Sequence, residues 1–546
     1  MRRRYSRWLQ KSAAPRQVPL ARCLQFAGCS FRSAAGYSAS LFNRPGWPWE
    51  AKRLRTRFKP DHSACLVALA VVAAAALRIA TLGEQSFWYD EGQTVQLMHM
   101  SFSRMLRGVD TNQATPQVYY VLAWVWSKLA GYGEFGMRFF PAVAGVLTVP
   151  VAFLTARQLS STRAGVIASG LTAFSPMLVW YSQEARVYSL MVLISSLTVL
   201  AFVKLLDELT TRRIVAWALL AGLALWTHYF TALVVVPEAV WLLRRDHGDR
   251  RMRLALWGVA LCGLALLPQE IHQSSLNLQG GGGWIASIPL STRLPEAAIQ
   301  QLLGPSRIIT PLALGIDLLG VLVALTAIFR RRDVLGAATP ALALTAGGIV
   351  IFGLLILTGH DLLDPRNVLA IWMPLTVSLS IGLASVETSL YRNLAVCAMC
   401  AVGVTTVIAV DVDVRLQRPQ WRPVAQAIGG RPGEAVFQVD ACNDIPLDLY
   451  LPNLGSAVSA VHATTLYVVA TEPQPSKFDV LMRDWYTVCS PVGRIVFPAD
   501  IEGFRRTGAV QRFGQLMVQR YAAKGRKSLS VETLAAAGVR GQLHST

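Results

Sequence analysis

Charge is scarce in this chain: Asp, Glu, Lys and Arg make up 15% of its 546 residues, against about a quarter in an ordinary soluble protein. With 53% of the residues hydrophobic, that shortage excludes a conventional water-soluble fold. Acids are the rarer sign, 32 against 52 Lys and Arg, yet the basic surplus is not a nucleic-acid signature. Fourteen of the basic residues fall in the first sixty positions against the single acid Glu50, a net +13 there. Most of the charge is therefore a tail. Residues 1–60 also lack a periodic apolar pattern and the apolar stretch of a secretory signal. They read as a basic cytoplasmic tail, largely disordered, or in part an over-long start. A nucleotide fingerprint is missing too, because no strand precedes Gly280 to Gly283 and no G-x-G-x-x-G unit with a downstream acid is built around them. A flexible lid is the expected role of that run.

What is present in their place is a series of apolar runs near twenty residues long, the length that crosses a bilayer as a helix. The first is 63–82, with Arg78 near its outer end, either snorkelling to the interface or facing the acids beyond it. The segment 116–129 amounts to some fourteen residues rich in Tyr and Trp, too short to span and suited to lie at the interface. Later runs are 138–158, 164–181, 188–206, a thirty-residue stretch split at Thr227-His228-Tyr229, 254–270, 309–328, 341–357, 368–386 and 395–410. Eleven spans result. This count puts the basic turns 160–163, 211–213, 244–253 and 330–332 in the cytoplasm, as the positive-inside rule requires. A twelfth span at 116–129 would invert them. The expected domains are the tail 1–60, a membrane part 61–411 with an outer loop 83–137, and an outer α/β domain 412–546.

This topology gathers polar residues on one side. Asp90 and Glu91 directly follow the first span, where adjacent carboxylates either cap the next helix or serve a polar reaction. Glu184, Arg186, His228, Tyr229, His360 and Arg366 share that side, and Arg138 opens the next span. Acids, histidines and arginines around an apolar bundle suit a reaction in which cations hold an anionic lipid headgroup while a carboxylate takes a proton from an acceptor hydroxyl. Each residue has a structural alternative: a loop ion pair for Glu184 and Arg186, a satisfied interfacial histidine for His228, an interfacial anchor for Arg138.

Phe87-Trp88-Tyr89-Asp90-Glu91, Thr115-Pro116-Gln117-Val118-Tyr119-Tyr120, Met137-Arg138-Phe139, Trp180 to Arg186, Thr227-His228-Tyr229 and Pro365-Arg366 together resemble the bacterial protein mannosyltransferase-like (family 39) membrane glycosyltransferases of the GT-C fold. The resemblance covers roughly 63–430 and departs at Thr115-Pro116, where relatives often have Pro-Pro. It implies an α-helical polytopic membrane enzyme of the cell inner membrane that takes a polyprenyl-phosphate sugar. The implied catalytic base is Asp90, with Glu91 orienting it or, less readily, holding a metal. Transfer would go to a glycan, lipid or protein acceptor with inversion. Arg138, Glu184, Arg186, His228, Tyr229, His360 and Arg366 are then candidates for donor and substrate binding. No cofactor is called for, and a divalent metal is left open. The competing reading is a transporter or flippase of a lipid-linked sugar, which would place polar residues at the midplane on broken helices, often in repeated halves; here the ionisable residues sit mostly at span ends and no internal repeat is visible.

Residues 412–546 have a soluble composition, with short strands expected over 435–439, 465–470 and 494–497, a helix over 420–428, and a loose basic end from about Ala523. Of eight cysteines only Cys442 and Cys489 fall in this part, where an oxidising compartment permits a disulfide.

Overall fold

Tyr89 opens the first of three short helices that follow the first span, and these set the floor of the molecule's polar end: Tyr89–His99, Phe102–Asn112 and Val118–Ala130. The computed structural model describes residues 62–276, 285, 288–305, 310–439, 444–471, 497–539 and 541–546. The tail 1–60, Gly280 to Gly283, Cys442, Cys489 and all but Phe497 of the strand expected over 494–497 lie outside the described residues. The helix Val118–Ala130 has 13 residues, about 20 Å of length against a hydrocarbon core of about 30 Å. It buries Tyr119, Tyr120, Ala123 and Ser127 against the protein and leaves Leu122, Val125 and Leu129 exposed, the division expected of a segment lying at an interface.

Among the described residues, eight helices are long and apolar enough to cross a membrane, nine if the bent pair Thr162–Ala173 and Pro176–Ser182 counts as one. The expected count of eleven includes two more, Thr211–Thr227 and Ala232–Asp246, of 17 and 15 residues. Both are shorter than the roughly twenty residues that span, so length alone does not reach eleven. The break between them does fall at Thr227-His228-Tyr229. There His228 takes extended backbone and its Nδ1 accepts from the Phe230 N–H at 3.2 Å.

The 55° bend of the pair has a local cause. Pro176 has no N–H to donate, so the first helix ends before it and Ser175 Oγ starts the next turn by accepting from Leu178 N. The carbonyls of Thr172 and Ala173 are left without helical partners, and Arg78 supplies them at 3.2 and 2.9 Å. Arg78 also donates to Ala74 O at 3.2 Å and Ser182 Oγ at 3.3 Å and is fully buried. It therefore neither snorkels nor reaches the acids; it pins a broken helix.

The C-terminal part starts with the helix Trp421–Ile428 and forms a seven-stranded sheet, with β1 Glu434–Gln438, β2 Ala457–Val458, β3 Ala460–Thr471, β4 Asp500–Ile501, β5 Phe504–Phe513, β6 Leu516–Ser530 and β7 Gln542–Ser545, in the order β2-β7-β1-β3-β6-β5-β4. Among the described strands only the β1–β3 pair runs parallel. One sheet face packs Phe437, Leu466, Val468, Phe504 and Tyr521. Trp421, Val424, Leu447 and Tyr450, from two helices, cover Val436, Tyr467 and Val518 on the other. The stretch after Ala523 is not loose: 523–530 completes β6, and its last four residues, 527–530, pair with 460–463 of β3 beyond a register shift. Its Lys524-Gly525-Arg526-Lys527 stretch is exposed, so it carries no buried alternation to mark it as a strand. All described residues belong to one compact unit, Leu54–Thr546.

Candidate active site

Two acids that are neighbours in the chain have opposite surroundings. Both lie in the first turn of Tyr89–His99, where a carboxylate favours the helix N-terminus. Glu91 turns inward. Its Oε1 accepts from Arg138 Nε at 2.7 Å and from Ala185 N at 2.8 Å, and its Oε2 accepts from Arg138 Nη2 at 2.6 Å. Arg138 spends its other donors on Leu82 O at 3.2 Å, Gln85 O at 2.7 Å and Ser86 O at 2.9 Å. The two side chains are 0% and 1% exposed, and every N–H of the guanidinium faces one of these acceptors, which leaves none for a ligand. Burial by itself would raise the Glu91 carboxyl, but the charge and hydrogen bonds of Arg138, with Arg418 and the Ala185 N–H, outweigh it and hold the group below the usual glutamate range.

Asp90 turns toward the arginines. Its Oδ2 lies 3.1 Å from Arg366 Nη1 and 4.0 Å from Arg186 Nη2, and the side chain keeps 13% exposure. Arg366 sits at the start of the 3-10 turn Pro365–Ile371, where Asp364 caps the turn through Arg366 N at 3.0 Å and holds the guanidinium Nε at 3.4 Å. The guanidinium stands 5.8 Å from the ring centre of Tyr188. Arg186 is buried, and its Nη1, with two N–H groups to donate, lies within hydrogen-bond distance of four acceptors, Gln113 Oε1 at 2.7 Å, Tyr120 OH at 3.1 Å, Thr94 Oγ1 at 3.3 Å and Asp90 O at 3.4 Å. Its Nε is buried and has no hydrogen-bond partner among the described residues.

Glu184 lies beneath this cluster. It is fully buried, neither oxygen has a hydrogen-bond partner among the described residues, and the Arg418 Nη2 is 3.9 Å away. Burial, only partly offset by Arg418 and reinforced by Glu91 and Asp90, pushes the carboxyl up to about 8, which favours its protonated form. His228 is buried beside Tyr188, with ring centres 5.9 Å apart. Burial, then Arg186 and Arg366, push its imidazole down to about 3, which keeps it neutral near the arginines.

Tyr229 and His360 take other partners. Tyr229 OH donates to Gln273 Oε1 at 2.9 Å, and Gln273 in turn reaches Val109 O and Thr115 O. His360 is exposed, with its ring 3.5 Å from Thr358 Oγ1, and among the described residues it has no hydrogen bond to the arginine cluster. Asp90, Arg186 and Arg366 are brought together; Glu91 and Arg138 form a separate buried pin behind them. Gln113, Thr94, Tyr120 and Asp364 complete the cluster without having been singled out as site residues. Asp364 carried a signal, since Asp before Pro-Arg is a capping pattern, whereas Gln113 carried none. Among the described residues no three His, Cys, Asp or Glu side chains come close enough to hold a metal ion.

Residues 114–271 match the family described as Dolichyl-phosphate-mannose-protein mannosyltransferase. No curated protein matches the chain significantly. Among solved structures, ArnT from Cupriavidus metallidurans bound to undecaprenyl phosphate is 15% identical, with a TM-score of 0.49 over 84% of this chain and 97% of that one. The apo state of ArnT is 16% identical with a TM-score of 0.47 over 72% and 85%. The Archaeoglobus fulgidus oligosaccharyltransferase in complex with Zn and sulfate is 15% identical with a TM-score of 0.41 over 66% and 55%. The family match covers Thr115 to Tyr120, Met137-Arg138-Phe139, Trp180 to Arg186 and Thr227-His228-Tyr229, and with the membrane-length helices around them it bears out the resemblance read from the sequence, to the protein mannosyltransferase-like membrane glycosyltransferases of the GT-C kind.

Proposed function

We propose that this chain transfers a sugar from a polyprenyl-phosphate donor to an envelope acceptor on the extracytoplasmic face of the inner membrane, with inversion at the anomeric carbon. The observation that carries this reading is a partly exposed carboxylate, Asp90, beside two arginines at the polar end of an apolar helical bundle. Arg366 and Arg186 supply the positive charge for the donor phosphate, where a guanidinium can bind two oxygens at once. Asp90 takes the proton of the acceptor hydroxyl as its oxygen bonds to the anomeric carbon. The bond from that carbon to the phosphate oxygen breaks, and the lipid phosphate leaves with the electron pair. Attack from the face opposite the phosphate inverts the centre. Glu91 and Arg138 take no part in the proton transfer; they hold the loop that carries Asp90. The extracytoplasmic side is supported by the basic turns at 160–163, 211–213, 244–253 and 330–332.

Product chemistry tests the reading. Purified protein in detergent, given a polyprenyl-phosphate sugar and an envelope extract as acceptor source, is expected to release free polyprenyl phosphate. A transporter or flippase would move the lipid-linked sugar in vesicles and leave its phosphate bond intact, and that pattern would replace the present reading. Arg366→Lys is expected to weaken donor binding by roughly 10- to 100-fold, the worth of about 1.5–3 kcal/mol for a charge-assisted hydrogen bond, while the melting temperature stays put. Unchanged donor affinity would remove Arg366 from the phosphate site.

A further inference from the structure

The loop that carries Asp90 is held from two sides. Arg138 grips it from the membrane part through Leu82, Gln85, Ser86 and Glu91. A second grip comes from beyond residue 417, through Arg418, Arg422 and Tyr450. Arg418 N donates to Gln85 Oε1 at 3.1 Å, and its guanidinium lies 4.2 Å over Trp180 while donating to Trp180 O. Arg422 N donates to Ser86 Oγ at 3.0 Å and its Nη2 to Gly83 O at 3.2 Å. Tyr450, at the end of the helix Asp444–Tyr450, accepts from Phe87 N and donates to Glu134 Oε1, both at 2.7 Å. Glu134 is also ion-paired with Arg422 and accepts from its Nε at 3.1 Å. Burial and the neighbouring Glu134 raise the Tyr450 phenol above its ordinary range, which keeps the proton it donates.

The same helix touches the catalytic turn on the far side of Asp90. A Cβ on Gly92 would stand 2.8 Å from Ile445 Cγ2, so the helix seats directly on the backbone two residues after Asp90, and Phe87 is held three residues before it. Placement matters at this point because a base must sit within a few tenths of an ångström of its productive position, and an error of about 1 Å costs roughly 10²-fold.

We infer that the C-terminal domain is a working part of the catalytic site: Tyr450 and the seat of Ile445 on Gly92 are positioning elements that fix Asp90 for proton transfer. The inference rests on the transfer reading above. It makes the outer domain more than a cover, since its second helix brackets the base in a way that neither the membrane helices nor Arg138 reproduce.

Two variants test it. Tyr450→Phe removes one oxygen, and with it one bond to Phe87 N and one to Glu134. It is expected to lower kcat by about 10- to 100-fold, with the affinity for a short-chain polyprenyl phosphate unchanged and the melting temperature lowered only by the cost of the orphaned Phe87 N–H, so that the variant stays folded at the assay temperature. Gly92→Ala drives the new methyl into Ile445 and is expected to lower kcat similarly. Adding Ile445→Ala in the Gly92→Ala background is expected to restore most of it, a coupling that a purely local helix defect cannot show. Wild-type kcat in Tyr450→Phe, or a Gly92→Ala loss that Ile445→Ala does not relieve, would overturn the inference. Absence of lipid-phosphate release by the wild-type protein would instead refute the transfer reading itself, so the two failures are told apart.

Discussion

Asp90→Asn is expected to fold, to bind the lipid donor and to turn over about 10²–10⁴ times more slowly, the usual worth of a general base. The substitution keeps the size of the side chain and an oxygen toward Arg366, which stands 3.1 Å away, but removes the basic lone pair. Loss of one negative charge beside Arg366 and Arg186 favours a phosphate there, so donor affinity should hold or rise. The comparison that decides is Glu91→Gln. Glu91 is closed off by Arg138 and the Ala185 N–H, so its substitution should act through the fold, and turnover per correctly folded, donor-competent molecule should fall far less than for Asp90→Asn. Near-normal turnover of Asp90→Asn with a folded but inactive Glu91→Gln would assign the base to the other carboxylate. Normal turnover of both would move the site elsewhere.

Much of this arrangement was legible from the chain, and what was not has physical reasons. The spans follow from runs of apolar residues, a property of local sequence, and the break at His228 was visible as a polar interruption of a run too long for one helix. Asp90 and Arg366 were readable as site candidates because each stands at a span end. Their meeting across 276 positions was not readable, since periodicity says nothing about which span ends converge. The partnership of Glu91 with Arg138 was hidden for the same reason: the sequence offers Glu91 as orienting Asp90 and Arg138 as a donor contact or an interfacial anchor, and says nothing of their pairing. Tyr229 and His360 were expected on the side of the membrane that carries Asp90, but they pair with Gln273 and Thr358 instead, because a side is a coarser statement than a position. Arg422 stands in Trp421-Arg422-Pro423-Val424, which resembles the start of the outer domain in bacterial relatives, but neither it nor Arg418 nor Tyr450 is marked by the sequence as a docking residue. They act through contacts to Gln85, Ser86 and Phe87, and a domain without a motif announces none of its docking residues. Likewise β5 and β6 were missed because their outer stretches are exposed and basic, and strands that pair without burying one face leave no alternation to read.

The largest effect on stability is expected at Arg138. Replacing it with Ala leaves the Glu91 carboxylate buried without its partner and removes the donors of Leu82 O, Gln85 O and Ser86 O. Breaking a buried ion pair by removing one partner costs on the order of 3–5 kcal/mol, a large part of the roughly 5–15 kcal/mol that holds a typical domain. Arg138→Ala should therefore lose donor binding and turnover together with the fold, unlike Asp90→Asn, which loses turnover alone. Exchanging both members for apolar groups, Glu91→Met with Arg138→Met, removes the uncompensated charge and should cost clearly less than Arg138→Ala, though the three orphaned carbonyls keep it below the wild type. The pH dependence has a definite sign. The Glu91 carboxyl is held below its ordinary range in the fold, so its contribution is fully present above the unfolded value of about 4.3 and is lost as pH falls through the lower folded value. Thermal melting in detergent across that acid range should show a loss in the wild type that the double Met variant lacks. If Arg138→Ala melts with the wild type, or the double variant is as damaged as the sum of its singles, the pair is not the pin that holds the loop of Asp90.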